Sequence, residues 1–177
     1  MLSYKLSYMR HRVFIAINLP ESVKKELKAL QSKWPELPCR WTKPENFHIT
    51  LEFLGYINDE EIMEVFRQTR ELAEKQKLLK VKLNRLCYGP PGKMPPRMVW
   101  VTAEKIEQFN IVPHITLGRI RTWEWRKIEP EERPELEEKL NLIFEVNSIE
   151  VMESRLKRGG PEYTVLESIP LGLKMRN

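Results

Sequence analysis

The tetrapeptide His-Ile-Thr-Leu occurs twice in this chain, at residues 48–51 and again at residues 114–117. Only three histidines are present, and two of them begin these copies. Each copy lies in a run that alternates apolar and polar residues, and a period of two is the signature of a half-buried β-strand. In FHITLEFLG, residues 47–55, the pattern predicts Phe47, Ile49, Leu51 and Phe53 facing a core, His48, Thr50 and Glu52 on the other face, and Gly55 ending the run. PHITLGRI, residues 113–120, repeats the arrangement with His114 and Thr116. Strand side chains at i and i+2 share a face, so the chain must present two strands that each set an imidazole beside a hydroxyl.

The rest of the sequence supplies a matching framework. Val13–Leu19 is almost wholly apolar and reads as a central strand. Residues 21–34 place Val23, Leu27, Leu30 and Trp34 on one helical stripe after Pro20. Asn58 and Asp59 can cap a second helix, whose stripe is Ile62, Val65, Phe66, Thr69, Leu72 and Ala73. Residues 78–88 and 97–102 read as strands around the loop GPPGKMPP. Residues 131–143 are expected to be a helix with Leu136, Leu140 and Ile143 facing inward. FEVNSIEVMES and EYTVLESIPL read as closing strands joined by RLKRGGP. The order predicts an α+β fold with two related lobes in a single domain spanning residues 1–177. Residues 1–11 read as a tail, with Met9 an alternative start.

A lone strand histidine is usually structural, but duplication of a purely structural strand need not keep the polar pair along with the apolar one. Two imidazoles facing one space supply a general acid and a general base near neutral pH, since free histidine titrates at about 6.5. Two threonine hydroxyls beside them can donate to phosphate oxygens, which suits metal-free phosphodiester chemistry. Two cysteines outside any CxxC spacing and three histidines make a poor metal inventory, and no acidic cluster flags a metal-dependent nuclease. No cofactor is expected. No segment approaches the ~18 apolar residues of a membrane span, so no membrane partner is expected and the location is read as cytoplasmic. A net charge of +5 is compatible with a polyanionic partner without requiring one.

The paired motifs resemble the HxTx motifs of the 2H phosphoesterases. VFIAINLP, RWTKPENFHITLEFLG, PHITLGR and SRLKRGGPEYTVL, in that order, extend the resemblance to the RNA 2′,3′-cyclic phosphodiesterases, historically the 2′-5′ RNA ligases. That resemblance implies a bilobal fold of two pseudo-symmetric lobes, each an antiparallel sheet with helices, around a central cleft to which each lobe gives one HxTx strand. It implies hydrolysis of RNA 2′,3′-cyclic phosphate ends to 2′-phosphates. His48 would be the proton donor, His114 the proton acceptor, and Thr50 and Thr116 would bind phosphate. Arg119 would steady phosphoryl charge. The partners would be RNA ends or cyclic-phosphate nucleotides, with a monomer as the default state. The alternatives are a 2′-5′ RNA ligase, a 2′-5′ oligonucleotide phosphodiesterase, or a non-catalytic RNA- or nucleotide-binding module.

Two features test this assignment. Arg119 lies five residues after His114, an odd separation that would turn it away in a regular strand. A bulge or strand end at Gly118 is therefore predicted, to restore it to the histidine face. Only 13 residues separate Trp100 from His114, against 28 between Leu19 and His48, so the second lobe is stripped of a helix or a segment is missing. Phe47, Tyr88, Trp100, Trp123, Trp125 and Tyr163 are candidates for base stacking, with Trp123 and Trp125 foremost. Lys93, Arg97, Lys157 and Arg158 are candidates for phosphate contact.

Overall fold

Two sheets order the chain. The computed structural model describes residues 9–172. Strands β1 (His11–Asn18), β3 (His48–Ile57), β8 (Ser148–Lys157) and β9 (Gly160–Pro170) form one sheet in the order β3-β1-β8-β9. Strands β2 (Cys39–Trp41), β4 (Leu79–Gly89), β5 (Met98–Ala103), β6 (His114–Ile120) and β7 (Glu137–Val146) form the other, in the order β2-β6-β5-β4-β7. Helices α1 (Glu21–Gln31) and α2 (Asp59–Lys75) and the single turn α3 (Thr122–Trp125) complete the α+β fold. Among the described residues no helix is long and apolar enough to cross a membrane.

The chain divides into two compact units, one of residues 1–16, 51–78 and 147–177, the other of residues 17–50 and 79–146. In the first, β1 is buried on both faces through Val13, Phe14, Ile15 and Ala16, which is why its sequence is a continuous apolar run. β1 pairs antiparallel with β8, and β8 with β9. Helix α2 lies against β8 and β9. It starts at a capping box, with the Asn58 side chain accepting from the Glu61 amide and the Glu61 carboxylate accepting from the Asn58 amide. His11, the last residue of the expected tail, opens β1 and sits between Glu153 at 2.7 Å and Asp59 at 3.1 Å. The other tail residues before Met9 lie outside the described residues.

In the second unit, Leu83, Val99, Val101, Ile115 and Leu117 are fully buried on one face of the five-stranded sheet, and Val23, Leu27 and Leu30 of α1 are buried as the stripe predicts. Tyr88 meets Trp125 edge-on at 5.2 Å.

Three local expectations are corrected. The helix expected over residues 131–143 is a 3-10 turn at Pro130–Glu132 followed by strand β7, paired along β4. Leu140, Leu142, Phe144 and Val146 alternate at period two, and pairing with an open strand edge outweighs the helical propensity of the Glu- and Leu-rich run. Gly55 does not end β3; it takes φ +78°, a value open to glycine, and the strand continues to Ile57. Phe53 is not core. It is 61% exposed, its ring 5.5 Å from Phe14 with the Arg12 guanidinium above it.

Candidate active site

His48 enters β3 directly from a 3-10 turn, Pro44–Asn46, closed by the Phe47 amide donating to the Pro44 carbonyl at 3.1 Å. The turn aims the Asn46 carbonyl at the ring, 2.8 Å from His48 Nδ1. A carbonyl only accepts, so Nδ1 carries the proton. In the neutral ring Nε2 then accepts from the Thr50 hydroxyl, 3.1 Å away. The pair two residues apart on a strand thus acts as one unit. Burial pushes the His48 pKa below its ordinary value, the Asn46 hydrogen bond opposes this, and the charge of His114 lowers it further. His48, Thr50, His114 and Thr116 all fall within the second unit.

The β5–β6 register places the second motif. Thr102 lies opposite His114, Trp100 opposite Thr116, and Met98 opposite Arg119. Residues 98, 100 and 102 alternate regularly and share a face, and directly opposed residues share a face too. His114, Thr116 and Arg119 therefore project from the same face. The odd spacing is absorbed by one extra residue on β6 between Thr116 and Gly118, a bulge centred on Leu117. The expected parity change is present, one residue earlier than Gly118, and β6 continues past it to Ile120. The Leu117 carbonyl accepts from the Thr42 amide at 2.8 Å and from the Gln31 side chain at 2.9 Å, so the bulge leaves no orphaned acceptor. Gly118 is needed for space: a Cβ there would lie 2.3 Å from Cys39 Sγ and 2.9 Å from the Trp41 ring. That packing buries the Cys39 thiol and pushes its pKa up to about 12, so it is no nucleophile at neutral pH.

The His114 ring stacks on Trp100, centroids 3.9 Å apart and planes 23° from parallel. Trp100 in turn lies across Gly89, where a Cβ would come within 2.2 Å of the indole. Burial lowers the His114 pKa. On the far side of β6, Arg40 of β2 is directly opposite Arg119, and both are exposed. Neither arginine has a carboxylate within salt-bridge distance among the described residues. Like charges placed opposite one another on adjacent strands destabilise a sheet, so the pair is not a stabilising contact. Arg40 escaped the sequence reading because its pairing with Arg119 depends on a register no local pattern encodes.

The other candidates separate clearly. Trp100 is at the site, as the partner of His114. Phe47 and Trp125 are core residues, 1% and 2% exposed. Tyr88 donates to the Pro134 carbonyl, and Tyr163 packs edge-on against Phe14 in the first unit. Trp123 is exposed, with the Lys127 ammonium 4.6 Å above its ring. Lys157 is ion-paired with Glu162 across the β8–β9 hairpin. The short segment before His114 forms one 3-10 turn, Glu107–Phe109, pinned by a bridge between Ile106 and Ile111. Among the described residues no group of three or more His, Cys, Asp or Glu side chains is placed to hold a metal ion.

Comparison with known proteins agrees with this arrangement. The family model described as LigT like Phosphoesterase matches residues 17–100. An RNA 2′,3′-cyclic phosphodiesterase of Aquifex aeolicus is 28% identical over 179 residues, covering 86% of this chain and 89% of its own. One from Methanocaldococcus jannaschii is 26% identical over 176 residues, covering 88% and 98%. A solved Thermus thermophilus protein superposes with a TM-score of 0.78 at 26% identity, over 91% of this chain and 98% of that one. Escherichia coli LigT, solved with phosphate, shares the fold with a TM-score of 0.73 at 22% identity, over 93% and 99%. The duplicated His-x-Thr strands, the two-sheet architecture and the near full-length correspondence make the chain similar to the LigT-like phosphoesterases and to the RNA 2′,3′-cyclic phosphodiesterases.

Proposed function

We propose that this enzyme opens the 2′,3′-cyclic phosphate at the end of an RNA strand to a 2′-phosphate, with no metal ion in the reaction. The observation that carries the reading is the pair of half-buried imidazoles in one compact unit, His48 bonded to Thr50 at 3.1 Å and His114 sharing its strand face with Thr116. The names of the Aquifex and Methanocaldococcus relatives support the choice of substrate.

In this mechanism a water molecule attacks phosphorus and the bond to the 3′-oxygen breaks. His114 takes the proton from the attacking water, and protonated His48 gives one from Nε2 to the departing 3′-oxygen. The Asn46 carbonyl keeps the Nδ1 proton in place throughout, so Nε2 is the nitrogen that works. Protonation of His48 also reverses its hydrogen bond with Thr50. Nε2–H then donates to Oγ1, and the hydroxyl proton is released toward a phosphate oxygen. Thr116 supplies the second hydroxyl, and the Arg40–Arg119 pair faces the charge that develops on the phosphoryl oxygens.

The test is hydrolysis of an RNA oligonucleotide ending in a 2′,3′-cyclic phosphate, in EDTA, followed by identification of the product. A 2′-phosphate formed by the wild type and lost in both His48→Ala and His114→Ala is expected. A 3′-phosphate product would reverse the assignment of the leaving oxygen. No turnover, with nucleotide binding intact, would make the chain a binding module.

A further inference from the structure

The row of directly opposed residues that contains His114 does not stop at Thr102. Thr102 is opposite Arg85 on β4, and Arg85 is opposite Lys139 on β7. His114, Thr102, Arg85 and Lys139 thus form one line across four strands, on one face of the sheet. Strands are spaced about 4.8 Å apart, which puts Arg85 about 10 Å from His114 and Lys139 about 14 Å away, backbone to backbone. The same face is hollowed into a groove of about 810 Å³, whose lining includes His114, Trp100, Thr102, Arg85, Glu137 and Lys139.

The charges in that groove are arranged against folding economy. Arg85 and Lys139 are both exposed cations set directly opposite each other, which costs stability unless an anion lies between them. The groove does contain a carboxylate, Glu137, but it meets Arg85 only at 3.8 Å. Lys82, also at the groove, is neutralised by Glu104 at 2.8 Å. Lys139 has no carboxylate within salt-bridge distance among the described residues. The line thus runs from the reacting phosphate, past a neutral hydroxyl, to two opposed cations that share one long carboxylate contact, from Glu137 to Arg85.

We infer that Arg85 and Lys139 form a subsite for the next phosphodiester of a single-stranded RNA, upstream of the cyclic end. The inference rests on the proposed reaction at His48 and His114 and adds a substrate class to it: oligonucleotides in preference to mononucleotides. Single-strand binding by a cationic track that begins at an aromatic ring is a common design, and Trp100 stands at the head of this track.

The experiment compares kcat/KM for a trinucleotide ending in a 2′,3′-cyclic phosphate with that for the mononucleoside 2′,3′-cyclic phosphate. It uses the wild type and the double variant Arg85→Ala, Lys139→Ala, with circular dichroism confirming that both fold. The wild-type preference for the trinucleotide should fall on the order of tenfold in the variant, and the dependence of its KM on salt should flatten. An unchanged preference, or equal losses on both substrates, would overturn the subsite. Turnover of neither substrate by the wild type would sink the proposed reaction instead. Fluorescence anisotropy of a labelled trinucleotide would then judge the groove alone: weaker binding by the double variant supports it, and equal binding removes it.

Discussion

The two His-Ile-Thr-Leu strands are identical over four residues and different in almost everything that fixes their histidines. The first ring is held by hydrogen bonds, from Nδ1 to the Asn46 carbonyl and between Nε2 and the Thr50 hydroxyl. The second is held by a face, the indole of Trp100, and no described residue hydrogen-bonds to its nitrogens. A hydrogen bond to a carbonyl dictates which nitrogen carries the proton; a stack fixes the plane of the ring and leaves its protons to the substrate. The first surroundings suit a donor whose reactive nitrogen is always the same. The second suit an acceptor that must take a proton from water. In the proposed reaction, identical motifs come to different tasks through their neighbours.

The bluntest way to break this pair is to remove either ring. His48→Ala and His114→Ala should each lower kcat for the cyclic phosphate by about 10²–10⁴-fold, with the double variant no worse than a few-fold beyond the poorer single one. Fully additive losses would mean that the rings act independently. Next in size is the response to pH. The productive free enzyme needs His48 charged and His114 neutral, and both pKa values lie below the ordinary histidine value. kcat/KM should rise as pH climbs through the lower of the two and fall about tenfold per unit above the higher, with its maximum on the acid side of about 6.5. A maximum near pH 8 would contradict the burial of both rings.

Gly118→Ala addresses the second strand alone. A Cβ pressed against Cys39 and Trp41 should cost about 1–3 kcal/mol in urea unfolding, whereas the same change at Gly159, where a Cβ meets nothing within 4 Å, should be nearly silent. Trp100→Ala removes the stack, worth about 0.5–1.5 kcal/mol, so kcat should drop about two- to tenfold. Trp100→Phe should recover part of the loss. The pH limb belonging to His114 should move up in the alanine variant as water reaches the ring; an unmoved limb would reduce Trp100 to packing. The finest distinction is Thr50→Val against Thr116→Val. Each loses a phosphate donor, but only the first loses a histidine partner, so only Thr50→Val should shift the His48 limb, by an amount matching a bond of about 1 kcal/mol.

What the sequence disclosed and what it withheld follow a physical line. The His-x-Thr pairs, the stripe of α1, the cap at Asn58 and the turn-rich loop after β4 were legible because each is encoded within a few residues. Arg119 was half legible: its odd spacing and the adjacent glycine announced a change of parity, though not that Leu117 would be the inserted residue. Arg40, and the partnership of Trp100 with His114, were hidden because they depend on which residue of one strand faces which of another. The helix expected near residue 136 failed for the same reason, since the edge of β4 that captured β7 lies far back along the chain.

The bulge at Leu117 also bears on how this protein can change over generations. Substitution there exchanges one buried side chain for another, a graded loss that neighbouring residues can accommodate. Deletion is a different kind of event. It would leave Thr116, Gly118 and Arg119 opposite Trp100, Val99 and Met98 in a regular ladder, so Arg119 would keep the histidine face, while the Leu117 carbonyl that accepts from the Thr42 amide and the Gln31 side chain would be lost. What the inserted residue secures is thus the anchoring of α1 and of the chain after β2 to β6, rather than the direction of Arg119.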